Sequence, residues 1–212
     1  MADEARWLEA TLSARIADDA VLAAMVSVPR ELFVPAPLRA RAFENCALPI
    51  GHGQTISQPL VVARMAELLR LTATDRVLDV GTGSGYHAAV LARLAAHVWT
   101  VERIEELAAA AKATLAQAGV TNVTCIAGDG TLSLYGLAPF DAINVAAAAT
   151  DASLDRLANQ LAPGGRLIAP LYTRGGQALV LGTRSHGSGT VDWTVLEPVR
   201  FVPLVLAAGR VI

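Results

Sequence analysis

The feature that most constrains this chain is the run RVLDVGTGSGYHAAVLARLAA, from Arg76 to Ala96. Residues 76–80 are a short, mostly apolar segment, the pattern of a strand buried on both faces. Glycines at 81, 83 and 85 follow, and then a stretch of helical length, residues 86–96. Strand, glycine turn and helix in that order call for a parallel neighbour, because parallel strands need a long crossover between them. The pattern continues. Residues 97–102 read as a strand and 104–119 as a helix closed by Gly119. Strands are expected at 123–128 and 140–148, a helix at 154–162, a turn at 163–165 and a strand at 166–171. Two further runs, 177–184 and 192–205, follow without helices, joined through TRGG and SHGSG, which look like hairpin turns. The expectation is an α/β fold: a three-layer α/β/α sandwich whose mostly parallel sheet ends in an antiparallel pair.

Upstream the signals differ. Residues 4–27 have helical spacing, with Trp7, Leu8, Leu12, Ile16, Val21, Leu22 and Met25 as its apolar positions. Pro29 can open a short helix, whereas Pro35 and Pro37 call for an extended piece or a turn. The segment LPIGHGQTISQP, 48–59, has neither period and reads as neither strand nor helix. Residues 60–71 then form a strong amphipathic pattern, with Pro59 in the first turn and Ser57 or Gln58 near the cap. No linker interrupts the chain. Residues 1–212 read as one domain, with 1–60 a helical appendage carrying an irregular loop and 61–212 the core.

With 53% hydrophobic and 17% charged residues among 212, the chain has material for a core and is not expected to be disordered. Its net charge of −2 and pI near 6.1 supply no electropositive face for a phosphate backbone, so nucleic acid is not expected as a partner. No apolar run is long enough for a membrane span, and the acidic N-terminus lacks a signal-peptide pattern. A cytoplasmic, monomeric protein is expected. Cys46 and Cys125 match no metal or redox spacing and read as reduced thiols. No metal site is expected.

The glycine loop carries the chemistry. Its position between strand and helix lets the backbone approach a ligand at the carboxyl end of the sheet. The spacing G-x-G-x-G, with Tyr86 next, departs from the dinucleotide pattern and argues against a pyrophosphate. Glu102 ends the second strand and can accept from both hydroxyls of a ribose. Asp129, in AGDG after the third strand, can accept from an adenine amino group, and Gly130 lets the backbone come near the ring. Glycines, Glu and Asp on three successive strand ends suit an adenosine without pyrophosphate, and S-adenosylmethionine fits.

Together VPRELFVP, LPIGHGQTISQP, VLDVGTGSGY, VERI, GDG, APFDAI, PGGRL and PVRFVPL resemble the protein-L-isoaspartate O-methyltransferase family, from about residue 28 to residue 205. GHGQTISQP is the most specific of these. The resemblance implies the Rossmann-like fold of class I S-adenosylmethionine-dependent methyltransferases. It implies methyl transfer to the carboxylate of L-isoaspartyl residues in damaged proteins, a repair reaction that leaves S-adenosylhomocysteine. It assigns Ser57 to catalysis and lays Thr55, Ile56 and Ser57 against the cofactor. Gly81, Thr82, Gly83, Ser84, Gly85, Glu102, Arg103, Asp129 and Gly130 complete the expected cofactor site. The substrate is expected as an extended peptide, near His52, Val202 and Val205. Residues 198–205 are a candidate edge for strand addition. A competing role for Ser57 is the cap of the 60–71 helix.

Three positions depart from the family pattern. His87 stands where glutamine is usual, Ala146 where threonine is usual, and Val205 where a polar residue is common. They leave room for another substrate, such as a small acid or a biosynthetic peptide. A binding module that keeps the fold without catalysis is a second alternative, which the joint presence of Ser57, Glu102 and Asp129 disfavours. A nucleic-acid methyltransferase is a third. The chain has NVAAAAT where amino-methylating enzymes carry an N-P-P-Y type motif.

Overall fold

The apolar runs form the middle of a seven-stranded sheet, since a strand covered on both faces needs no polar alternation. The structure, a computed structural model, describes residues 2–132, 134 and 136–205, with side chains from residue 8 onward among these. The sheet comprises β3 (Arg76–Val80), β4 (His97–Glu102), β5 (Val123–Ala127), β6 (Phe140–Val145), β7 (Leu161–Thr173), β8 (Gly176–Arg184) and β9 (Val191–Pro198). Their order is β5-β4-β3-β6-β7-β8-β9. The strands from β5 across to β7 pair in parallel. β8 is antiparallel to both β7 and β9, so it is the inverted strand of the sheet. The chain leaves β3 for β4 and β5, then crosses back to β6 on the other side of β3. That reversal opens a crevice at the carboxyl ends of the central strands.

Helices α3 (Pro59–Leu69), α4 (Tyr86–Ala92), α5 (Glu105–Gln117) and α6 (Asp151–Ala158) cover the sheet. α4 is shorter than its sequence pattern, and α6 starts and ends earlier than expected. The PGG segment lies within β7 as an irregularity: Phe140 pairs with Leu161, but Ala142 pairs with Arg166.

The expected helix over 4–27 is two helices, α1 (Ala2–Ser13) and α2 (Asp19–Ser27). Asp18 makes the break. Its Oδ1 accepts from the backbone N–H groups of Ala20 and Val21 at 2.9 and 3.2 Å, a cap that replaces helix continuation. Glu67 Oε1 takes the N–H groups of Ala17 and Asp18 from outside. Leu8, Leu12, Ile16, Val21 and Met25 are all buried, in the same apolar cluster as Leu69, Val90, Leu91 and Ile168. The first 60 residues therefore share one core with the sheet's helical cover. Pro35 and Pro37 lead not into an extended piece but into a 3₁₀ turn, Ala36–Arg41, which follows another at Arg30–Phe33.

Two sequence readings need correction nearer the crevice. Residues 48–59 are not shapeless: β1 (Leu48–Gly51) and β2 (Gln54–Ile56) form a small antiparallel hairpin. Its tip takes positive φ at Gly51, His52 and Gly53 in succession, which breaks any sequence period. Residues 199–205 are not the end of an edge strand. β9 stops at Pro198, and the chain then crosses as a strap toward Ala148. The Ala148 N–H donates to Val202 O at 2.7 Å, and the Leu204 N–H donates to Ala148 O at 2.8 Å. The sheet edge is β9 itself. Among the described residues no helix is long and apolar enough to cross a membrane.

Candidate active site

The crevice gathers three strand ends. After β3 the loop turns sharply, and the N–H groups of Gly81 and Thr82 donate to Val101 O. The next N–H, Gly83, donates to Glu102 Oε2 at 2.9 Å, and Ile104 N–H donates to Oε1 at 3.0 Å. Glu102 at the end of β4 is thereby fixed by backbone on both oxygens, while retaining lone pairs for a ligand. Beyond β5, Asp129 Oδ1 accepts from the backbone N–H and the hydroxyl of Thr131, at 2.8 and 2.7 Å. Both acids are buried. Gly130 beside them has no room for a side chain: a Cβ there would sit 2.7 Å from Val80 Cγ1. The backbone therefore lies flat against the floor of the cleft.

The strap closes the opposite wall. Val202, Pro203, Leu204 and Val205 face the cleft that Gly81, Gly83, Glu102, Arg103, Asp129 and Gly130 line from the sheet side. Thr55 and Ala146 complete it, and these two residues also line two neighbouring concavities. One is a small recess bounded by Ile56, Ser57, Thr82, Ser84, Tyr86 and His87. The other is an outer cleft between Ser57, Gln58 and Val61 on one side and residues 198–202 on the other. Ser57 borders both. Nine of the expected site residues thus share the acid-lined cleft, and Ile56, Ser57, Thr82 and Ser84 meet in the recess beside it. Val202 separates the cleft from the outer cleft. Two expected residues lie apart. His52 is exposed at the hairpin tip, and Gly85 faces α5, where a Cβ would be 3.3 Å from Ala111 and Leu115.

Ser57 is not a helix cap. The N-cap of α3 is Gln58, which makes no side-chain capping bond, and Asn45 Oδ1 instead accepts the Leu60 N–H at 3.1 Å. The hydroxyl of Ser57 has no protein partner among the described residues. Its backbone is held by a residue the sequence reading did not single out. Arg30 is fully buried, donating from Nη2 to Ser57 O and from Nε to Ala42 O, both at 2.7 Å. Its guanidinium lies over the Tyr86 ring, 4.5 Å from the centroid, and burial lowers its pKa.

A second unforeseen group lies under the glycine loop. Asp79, fully buried in β3, accepts from Thr100 Oγ1 and from Asn144 Nδ2, each at 2.7 Å. The Thr82 and Thr100 hydroxyls are 2.7 Å apart, and Asn144 Nδ2 is 3.2 Å from His87 Nδ1. Burial raises the Asp79 pKa to about 6 and lowers that of His87 to about 3. A lone acid in the apolar run RVLDV was the available signal for Asp79; nothing local marks Asn144. Among the described residues no group of three His, Cys, Asp or Glu side chains is placed to hold a metal ion.

Residues 5–209 match the family model described as Protein-L-isoaspartate(D-aspartate) O-methyltransferase (PCMT). The chain belongs to the protein-L-isoaspartate O-methyltransferase family. It is 49% identical over 200 residues to the protein-L-isoaspartate O-methyltransferase of Xanthomonas oryzae pv. oryzae (strain PXO99A), covering 94% of this chain and 88% of that protein. Protein-L-isoaspartate O-methyltransferase 1 of Anaeromyxobacter sp. (strain Fw109-5) is 48% identical over 211 residues, 96% of this chain and 99% of its own. Among solved structures, the Plasmodium falciparum family member in complex with S-adenosyl-L-homocysteine aligns with a TM-score of 0.79 at 27% identity, covering 93% and 96% of the two chains. The class I methyltransferase fold that the resemblance implied is the observed one.

Proposed function

We propose that the acid-lined cleft binds S-adenosylmethionine and that Ser57 holds the carboxylate of an L-isoaspartyl residue in a damaged protein while it receives the methyl group. The observation that carries this reading is the sharing of Thr55 and Ala146 among the cleft, the recess and the outer cleft. A nucleoside held by the acids and a peptide held by the outer cleft then meet at one wall.

The residues present fit such a nucleoside. Glu102 and Asp129 stand on adjacent strand ends, and Gly130 beside them packs so closely on Val80 that no Cβ fits there. Glu102 would hold the ribose hydroxyls, Asp129 the adenine amino group, and Val202 to Val205 would cover the nucleoside from the strap. When bound, S-adenosylmethionine supplies an electrophilic methyl group on a sulfonium that departs as a neutral thioether.

The remaining demands fall on the chain. A carboxylate with a pKa of about 4 is already ionised at neutral pH and needs no general base. Positioning is the main requirement, and alignment of reacting groups can contribute roughly 7–11 kcal/mol in favourable cases. Ser57 orients the carboxylate with its free hydroxyl, and Arg30 fixes the backbone that carries it. The apolar strap excludes water from the reacting oxygen. The outer cleft, walled by Gln58 and Val61 against residues 198–202, takes the peptide in extended form.

Methylation of an isoaspartyl peptide and its aspartyl twin tests the proposal. The isoaspartyl peptide is the expected substrate and the aspartyl one is expected to be inert. Equal rates, or activity on small acids alone, would move the chain to another carboxylate methyltransferase activity.

A further inference from the structure

A buried polar atom without a partner forfeits its hydration and is rare in folded proteins. His87, one of the residues that bound the recess next to Ser57, carries one. His87 is 6% exposed, and its Nε2 has no hydrogen-bond partner. The other ring nitrogen identifies the tautomer. Asn144 Nδ2 lies 2.7 Å from Asp79 Oδ1 and 3.2 Å from His87 Nδ1. An amide nitrogen has two protons to give and accepts none, so it donates to both and His87 Nδ1 accepts. The hydrogen-bond network thereby assigns the single ring proton to Nε2. Burial keeps the ring neutral near pH 7. The Nε2–H group is a donor of fixed direction, sealed from solvent, with nothing to donate to.

Its surroundings narrow the acceptor. The recess is bounded by the glycine loop, by Ser57 and by Ala146, where the acid-lined cleft and the outer cleft meet. With the function proposed above, two carboxylates would approach that meeting point: the amino-acid end of the cofactor, and the isoaspartyl group. A neutral N–H can bind either anion without protonating it, which matters where one of them is the nucleophile. We infer that His87, through Nε2–H, is a carboxylate-binding residue of the methyl-transfer site. The inference rests on the function proposed above. An acceptor that reaches Nε2 displaces part of the recess wall and completes the chain Thr82–Thr100–Asp79–Asn144–His87.

Two variants of the full chain test this. His87→Gln keeps a donor near the Nε2 position, and His87→Leu removes it at similar bulk. The readouts are the affinity for S-adenosylhomocysteine by calorimetry and the KM for an isoaspartyl peptide. Loss of one hydrogen bond to an anion predicts a roughly tenfold or greater weakening in His87→Leu, with His87→Gln within about threefold of the parent. Weakening of S-adenosylhomocysteine identifies the cofactor's carboxylate; a raised peptide KM alone identifies the substrate's. Nitrogen-15 spectra of the unmodified protein give an answer that needs no variant: the His87 Nε2–H resonance shifts on addition of whichever ligand it binds. Unchanged binding in His87→Leu, equal losses in both variants, or a resonance that neither ligand moves would overturn the inference while leaving the methyltransferase reading intact. Failure of the unmodified chain to bind S-adenosylhomocysteine would overturn both.

Discussion

Glu102 accepts the backbone N–H of Gly83 at 2.9 Å, so the acid that ends β4 is tied to the loop that ends β3. This bond sets both partners of the proposed nucleoside site at once: the loop keeps its turn, and the carboxylate keeps its direction through backbone donors. Glu102→Ala removes the acceptor for Gly83, the acceptor for Ile104 and the proposed ribose contact together. Hydrogen bonds to charged groups contribute about 1.5–3 kcal/mol each, so affinity for S-adenosylhomocysteine is expected to fall at least about 100-fold. Glu102→Gln, which retains one acceptor oxygen, is expected to lie between. Calorimetry checks both, and an alanine variant with near-parental affinity would remove Glu102 from the ribose.

The role proposed for Ser57 separates catalysis from stability. Its hydroxyl caps no helix and its backbone is held by Arg30, so Ser57→Ala is expected to leave the melting temperature unchanged. Loss of one hydrogen bond to a carboxylate predicts a fall in kcat/KM of roughly 10- to 100-fold, with S-adenosylhomocysteine affinity within about threefold. Turnover of isoaspartyl peptide with parallel calorimetry measures it. A fully active variant would mean that another group orients the substrate.

Much of the fold around this cleft was legible because the local rule and the global fold agree. Residues 76–80 and 97–102 were bounded correctly, since buried parallel strands are continuous apolar runs ended by glycine or by charge. Legibility failed where a distant residue decides. The break between α1 and α2 depends on Asp18 and on Glu67, 49 residues away. The α3 cap comes from Asn45, 15 residues before Leu60, and not from the nearby serine. Residues 199–205 have a strand-like composition, yet Val199 and Phe201 bond to Gln177 of β8, and Val202 and Leu204 turn to Ala148 instead of continuing the ladder. Arg30 acts through carbonyls 12 and 27 residues ahead of it, which no window of local pattern contains.

Arg30 holds the backbone of the loop that carries the proposed reactive serine. Arg30→Met keeps much of the apolar bulk against Tyr86 but leaves Ala42 O and Ser57 O without their donor. Unpaired buried carbonyls cost about 1–3 kcal/mol each, so a destabilisation of roughly 2–5 kcal/mol is expected by denaturant unfolding. The kinetic signature is distinct from that of a purely structural change: kcat falls while S-adenosylhomocysteine affinity in the still-folded fraction is retained. Arg30→Lys is expected not to restore kcat, because an ammonium lacks the planar fork that reaches both carbonyls. Recovery by lysine would reduce the role of Arg30 to its charge.

Asp79 and His87 lie on either side of Asn144 and impose opposite pH dependences on stability. Burial raises the Asp79 pKa from 3.8 to about 6, so the fold favours its neutral form. That stabilisation is complete below pH 3.8 and is lost as pH rises through about 6. His87 is lowered from 6.5 to about 3, and here too the neutral form is favoured. Its contribution is complete above pH 6.5 and is lost as pH falls toward 3. Between pH 7 and pH 5 the linkage relation gives a loss of about 2 kcal/mol from His87 and a gain of about 1 kcal/mol from Asp79, so the two partly offset each other. Substituting one residue unmasks the other. Relative to the parent, His87→Gln should gain about 2 kcal/mol on moving from pH 7 to pH 5, and Asp79→Asn should lose about 1 kcal/mol. Urea unfolding of the three proteins at both pH values measures the differences, and every other titrating group subtracts out. Slopes of the same sign in the two variants would show that the carboxyl and the imidazole do not both remain neutral-favouring beneath the glycine loop.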